Sequence, residues 1–241
     1  MARAKEAVMN ATTTAAVRDD GLARFQSGVL VLMAVGLLVT GLVGEYVAHN
    51  HWMMSYLISG TGDKLHPSFL WWMLSVGEIG MVWKIADWEA DVKASTGYGR
   101  FLIYTAMNGL TIGPVLSLYT GVSVLRVFTI SAATFGASAL WGVTTKRDLS
   151  GVGSFFLMGL FGLIVVMVYN MFLQSGGLDL TISCVGIALF VGLTAWDMQM
   201  LRELYERNAG RNGLVIAGAL ALYLDFINLF LFFLRFFGEK D

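Results

Sequence analysis

One cysteine and two prolines occur in 241 residues, and only 14% of the chain is charged. Each shortage excludes something. The lone thiol, Cys184, rules out an intramolecular disulfide. Scarce proline leaves long helices unbroken. The charged fraction is far below the roughly 25% of soluble domains. With 56% hydrophobic residues and a mean hydropathy of +0.68, the chain has more apolar surface than a soluble core of this size can hide. A net charge of -1, with most of the lysine and arginine spread over the tail and short polar connectors, leaves no basic footprint for nucleic acid. No phosphate-binding glycine loop, HExxH or GxSxG is present, so an enzyme is poorly supported and no cofactor is expected. What remains is an all-α, polytopic membrane protein.

Residues 1–27, MARAKEAVMNATTTAAVRDDGLARFQS, are polar and lack the apolar core and small-residue cleavage site of a secretory signal. They are expected to form a cytoplasmic, partly disordered tail. A transmembrane domain follows over 28–238, its first helix acting as an uncleaved insertion signal.

Apolar windows long enough to cross a bilayer recur seven times: Gly28–Ala48, Ser68–Ala86, Phe101–Thr120, Val122–Thr144, Val152–Gln174, Leu180–Leu201 and Gly213–Phe237. Only Gly121 separates the third from the fourth. Twelve of the sixteen lysines and arginines fall in the tail, in the second, fourth and sixth connectors or, as Lys84, at the span end beside the second connector. The positive-inside rule then places the N-terminus in the cytoplasm and the C-terminus outside. Small residues four apart (Gly36, Thr40 and Gly44; Gly109 and Gly113; Ala133 and Ala137) let helix backbones approach closely.

Three carboxylates lie well inside the spans: Glu78, Asp197 and Asp225. A charge at the bilayer centre costs at least ~2.5–3.5 kcal/mol on insertion scales, so such groups carry partners or tasks. The turn between the last two spans is signalled by NAGRNG, centred near Gly210. Asp197 lies 13 residues before that centre and Asp225 15 after it. At 1.5 Å per residue these are about 20 and 23 Å along antiparallel helices, so the carboxyls are expected at matched depth. Thr194 and Asn228 lie three residues from them, on the same faces.

Two adjacent carboxylates in a low dielectric cannot both ionise cheaply and tend to share a proton. Protonated, the pair is a clasp between helices. Deprotonated, it repels itself or binds a cation that prefers oxygen ligands, such as Ca²⁺. The plainer alternative is that each acid only locks packing through Ser, Thr or Asn. Calcium ligands on this reading are Asp197, Asp225 and Glu78. His49, His51 and His66 share the first outer connector, where a solvated loop is favoured over a metal site. Trp71, Trp72, Trp83 and Trp88 flank the second span in pairs, as an interfacial belt does.

The segments LYLDFINLFLFFLRFFG around Asp225, GLTAWDMQMLREL around Asp197 and TFGASALWGVTTKRDLSGVGSFFLMGLFGLIV over Thr134–Val165 resemble the Bax inhibitor-1 family. The resemblance spans roughly Gly28 to Gly238. It implies a seven-helix fold with the last helix central and wrapped by the other six. It also implies a pH-sensitive Ca²⁺ leak, with an aspartate pair, here Asp197 and Asp225, as the sensor near the cytosolic mouth and with Glu78 in LSVGEIG. Some members carry an arginine about three turns after that glutamate. Here KIADWEAD places Asp87, Glu89 and Asp91 there, with Lys84 the nearest cation. The alternative is a regulator: some bacterial relatives look like modulators of membrane-bound quality-control proteases, with the polar tail as the contact. Either way the implied surroundings are the lipid bilayer of a bacterial inner membrane, with Ca²⁺ and protons as the small partners.

Overall fold

The computed structural model describes residues 2–60, 65–86, 94–208 and 213–240, with side chains from residue 20 onward except at 86, 94, 95 and 208. Helix follows helix: α1 (Ala2–His49), α2 (His51–Leu57), α3 (Phe69–Ala86), α4 (Ala94–Leu116), α5 (Gly121–Thr144), α6 (Ser150–Leu173), α7 (Gly176–Asn208) and α8 (Gly213–Phe237). Two short strands, β1 (Ile58–Ser59) and β2 (His66–Pro67), pair antiparallel between α2 and α3. Among the described residues, five helices are long and apolar enough to cross a membrane: α1 from Asp20, α5, α6, α7 and α8.

The windows expected as the second and third spans form α3 and α4, which are not in that set. α3 has 18 residues and includes Glu78 and Lys84, while α4 opens on the polar ASTGYGR and carries Asn108, Thr111 and Pro114. Two boundaries also differ from expectation. α1 runs back to Ala2, so the segment read as a partly disordered tail has a helical backbone. Its Ala, Arg, Lys and Glu are good helix formers and no proline interrupts them. The break between α4 and α5 falls at 117–120 rather than at Gly121, which is the first residue of α5. Thr120 decides this, because its side chain accepts from Ser123 N and caps α5.

Lipid tails are as apolar as leucine, so burial from water does not press these helices together; close packing does. The α1–α4 contact shows how. A Cβ on Gly109 would lie 2.8 Å from Thr40 O and 2.7 Å from Val43 Cβ, and one on Gly113 2.5 Å from Val47 Cγ1. The backbones meet because both positions lack a side chain. α8 is the most enclosed of the five apolar helices, with 67% of its most apolar window buried against 11% for α6. It packs against α7, α1 and α5, and more lightly against α3 and α4. α6 leans chiefly on α7 and leaves its other face open.

At one end of the bundle the chain after α8 folds back on the α4–α5 turn. Thr120 N donates to Glu239 O (3.0 Å), Glu239 N to Ser123 Oγ (2.9 Å), and Arg126 pairs with Glu239 at 2.8 Å. At the opposite end Gln199 of α7 braces the α5–α6 turn, accepting from Leu149 N and donating to Arg147 O.

Candidate functional site

Asp197 on α7 and Asp225 on α8 are 9% and 6% exposed, the only buried carboxylates among the described residues. Their helices are close-packed neighbours. The two side chains meet in hydrogen-bonding contact, and the Thr194 hydroxyl adjoins Asp225. Thr194 is anchored by donating to Phe190 O of its own helix at 2.7 Å. Among the described residues, Asp225 Oδ2 has no hydrogen-bond partner at all. An orphaned, buried carboxylate oxygen is costly and calls for a proton, an ion or water. Both aspartates line a cavity of about 440 Å³ between α6, α7 and α8, and Asn228 lines it with them. Asn228 donates to Leu224 O at 2.8 Å, which leaves its carbonyl oxygen for the cavity. Asp197, Asp225, Thr194 and Asn228 are thus brought together.

Glu78 is not with them. Its Oε1 accepts from Thr111 Oγ1 at 2.8 Å and its Oε2 from Asn108 Nδ2 at 3.1 Å. Asn108 Oδ1 in turn accepts from Tyr223 OH at 2.8 Å. Tyr223 OH also lies 2.6 Å from Thr40 Oγ1, which donates to Thr105 O at 2.8 Å. This second polar cluster joins α1, α3, α4 and α8. Two hydroxyl protons serve three contacts, so one contact is always without a proton and the chain of bonds has alternative arrangements. Among the described residues no three of His, Cys, Asp and Glu converge as a metal site, so the expected trio of Asp197, Asp225 and Glu78 does not form here.

Residues 22–241 match the family described as "Inhibitor of apoptosis-promoting Bax1". The chain belongs to the Bax inhibitor-1 family. It is 36% identical to the inner membrane protein YbhL of Escherichia coli K12, over 91% of this chain and 93% of that one. It is 37% identical to the uncharacterised protein YrjE of Lactococcus lactis, covering 92% and 93%. An uncharacterised protein of Borreliella burgdorferi is 34% identical, covering 90% and 92%.

Other residues singled out in this Bax inhibitor-1 family chain fall as follows. Lys84 is exposed near the end of α3, and among the described residues no ion pair joins it to either aspartate. Asp87, Trp88, Glu89 and Asp91, and the turn at Gly210, lie outside the described residues. His49 closes α1 beside Glu45 at 3.3 Å. His51 and His66 are exposed, on α2 and β2 rather than in an open loop. Trp72 and Trp83 are exposed as a belt requires, but Trp71 donates its Nε1–H to Thr111 O at 3.0 Å and pins α3 to α4. Sequence reasoning missed the Thr40–Tyr223–Asn108–Glu78 chain. Its signal was the pair Asn108 and Thr111, polar side chains three residues apart in an otherwise apolar helix.

Proposed function

We propose that this protein is a pH-regulated calcium leak of the bacterial inner membrane, gated by the Asp197–Asp225 pair. The observation that carries the reading is the facing of these two buried carboxyls, one oxygen of them unpartnered, on a largely apolar cavity whose polar lining is Asp197, Asp225 and Asn228. On this reading the chain crosses the membrane seven times. α3 and α4 complete the five apolar helices, α8 is the axis, and the N-terminus is cytoplasmic. The distribution of lysine and arginine supports that orientation, and the inner-membrane name of the Escherichia coli relative supports the location.

Mechanistically, a shared proton lets the two carboxyls clasp α7 to α8. Loss of that proton sets two negative charges against each other in a low dielectric. The helices then part, or an oxygen-seeking divalent cation enters. Flux therefore rises with pH. Reconstituted protein in liposomes should show Ca²⁺ flux that increases as the inner pH is raised, and in the double variant Asp197→Asn, Asp225→Asn the flux should no longer change with pH. A double variant that keeps the wild-type pH response ends this reading.

A further inference from the structure

Several helix termini converge at the end of the bundle where α8 finishes. Trp71 lies in the first turn of α3, Gln174 caps α6, Asp179 is in the first turn of α7 and Arg235 in the last turn of α8. Together with Asn170 and Met167 they line a wide cavity of about 610 Å³. Helix ends of a membrane bundle lie at the level of the lipid headgroups.

The polar content of this cavity is specific. Asn170, 5% exposed, donates Nδ2–H to Asp179 Oδ1 at 2.7 Å and accepts from Ser175 N at 3.1 Å. The carboxylate is thereby held in place. Arg235 Nη1 stands 4.0 Å from the same Oδ1, beyond hydrogen-bond length. A fixed negative group and a positive group are side by side without saturating each other. The walls below them are apolar. Met167 is shared with the cavity of about 440 Å³, which contributes Leu160, Leu163, Ile164 and Phe232 along the way. α6 forms one wall of both cavities and is the least buried of the apolar helices, so the crevice borders the bilayer.

We propose that this crevice binds one zwitterionic, amine-bearing phospholipid. Its phosphate lies against the Arg235 guanidinium, its ammonium against Asp179, and an acyl chain descends past Met167. The charge pattern selects this occupant. An anionic headgroup would bring a second negative charge to Asp179, and a water-soluble zwitterion would leave the apolar walls unfilled.

The test is lipid retention by the full-length protein in nanodiscs of equimolar phosphatidylethanolamine and phosphatidylglycerol, read by native mass spectrometry after detergent release. Wild type should retain phosphatidylethanolamine about tenfold over phosphatidylglycerol, the worth of one charge-assisted hydrogen bond. Arg235→Gln and Asp179→Asn should each abolish the preference. Met167→Trp, which fills the shared wall and leaves both charges intact, should abolish retention. Arg126→Gln, which breaks the Arg126–Glu239 ion pair, should change nothing. Folding is checked by far-UV circular dichroism, and Met167→Trp decides if a charge variant fails to fold. Equal retention of the two lipids by wild type, or retention unchanged by Met167→Trp, overturns the proposal.

Discussion

Tyr223 and Asp225 are two residues apart on α8 and serve opposite sides of it. Two residues turn an α-helix by about 200°. Tyr223 therefore reaches Thr40 and Asn108 on α1 and α4, while Asp225 meets Asp197 and Thr194 on α7. The most enclosed helix thus separates two polar clusters with different chemistry. One is made of neutral hydroxyls and an amide ending on Glu78. The other is a pair of acids. A disturbance of one need not alter the other, and this makes the two roles separable by experiment.

Tyr223→Phe removes the donor to Asn108 Oδ1 and changes little else in shape. Thr40 keeps its bond to Thr105 O, so the single orphan is a buried amide oxygen. That loss is worth about 1–3 kcal/mol. Thermal unfolding in detergent should show the variant destabilised by this amount. Its Ca²⁺ flux should keep the wild-type dependence on pH, since Asp197 and Asp225 are untouched.

How much of this was legible in the sequence depends on the range over which each feature is determined. The limits of α8, Gly213 and Phe237, follow from a continuous apolar run between polar turns. The Asp197–Asp225 pairing was reachable because consecutive helices with a short turn are antiparallel neighbours, so counting residues from the turn gives depth. The start of α1 was not, because hydropathy marks where lipid begins and is blind to a polar helix that continues into water. The Thr40–Tyr223 bond spans 183 residues and depends on which helices pack together, which no periodicity encodes. Asp179 and Arg235 lie near span ends and carry no sequence signal that links them. Only the placement of α6, α7 and α8 sets them on one cavity.

Glycine has opposite meanings at two kinds of position in this bundle. Gly109→Val adds side-chain atoms where Thr40 O, a backbone atom, stands 2.8 Å from the first of them. Helices α1 and α4 must separate, at about 1–3 kcal/mol for an overpacked contact. Gly162 on α6 has nothing within 4 Å of its missing Cβ. Gly162→Ala should be neutral or stabilising by up to ~1 kcal/mol, because alanine is the better helix former. Unfolding midpoints of the two variants against wild type check both signs.

Asp148 offers a pH effect outside the spans. Its carboxylate accepts from Ser150 N at 2.9 Å at the start of α6, and the Ser150 hydroxyl and N–H hold its pKa below the ordinary aspartate value. A depressed folded value means the contribution is present above the unfolded pKa and is lost as pH falls through the folded one. Asp148→Asn keeps the acceptor but not the charge. The variant should therefore be slightly less stable than wild type at pH 7, and the difference should start to shrink near pH 4, where free aspartate is protonated, and disappear only below the depressed folded value. Melting curves at pH 7 and at pH 3 compare the two, and a difference as large at pH 3 as at pH 7 contradicts this account.

Gln174 closes α6 in the left-handed region, at φ 52°, the only non-glycine residue with positive φ among the described residues. Its N–H caps the helix on Asn170 O at 2.8 Å, and the Asn170 side chain accepts from Ser175 N to complete the turn. The conformation is thus imposed by the turn rather than favoured by glutamine. A residue with a Cβ pays roughly 1 kcal/mol there, which glycine avoids. Gln174→Gly should raise stability by up to about that amount, against the greater backbone entropy of glycine in the unfolded chain. Asn170→Ala, by contrast, removes the acceptor for Ser175 N and the donor to Asp179 together and should lower stability by about 1–3 kcal/mol. If Gln174→Gly proves destabilising while Asn170→Ala is harmless, the turn is held by something other than the Asn170 side chain.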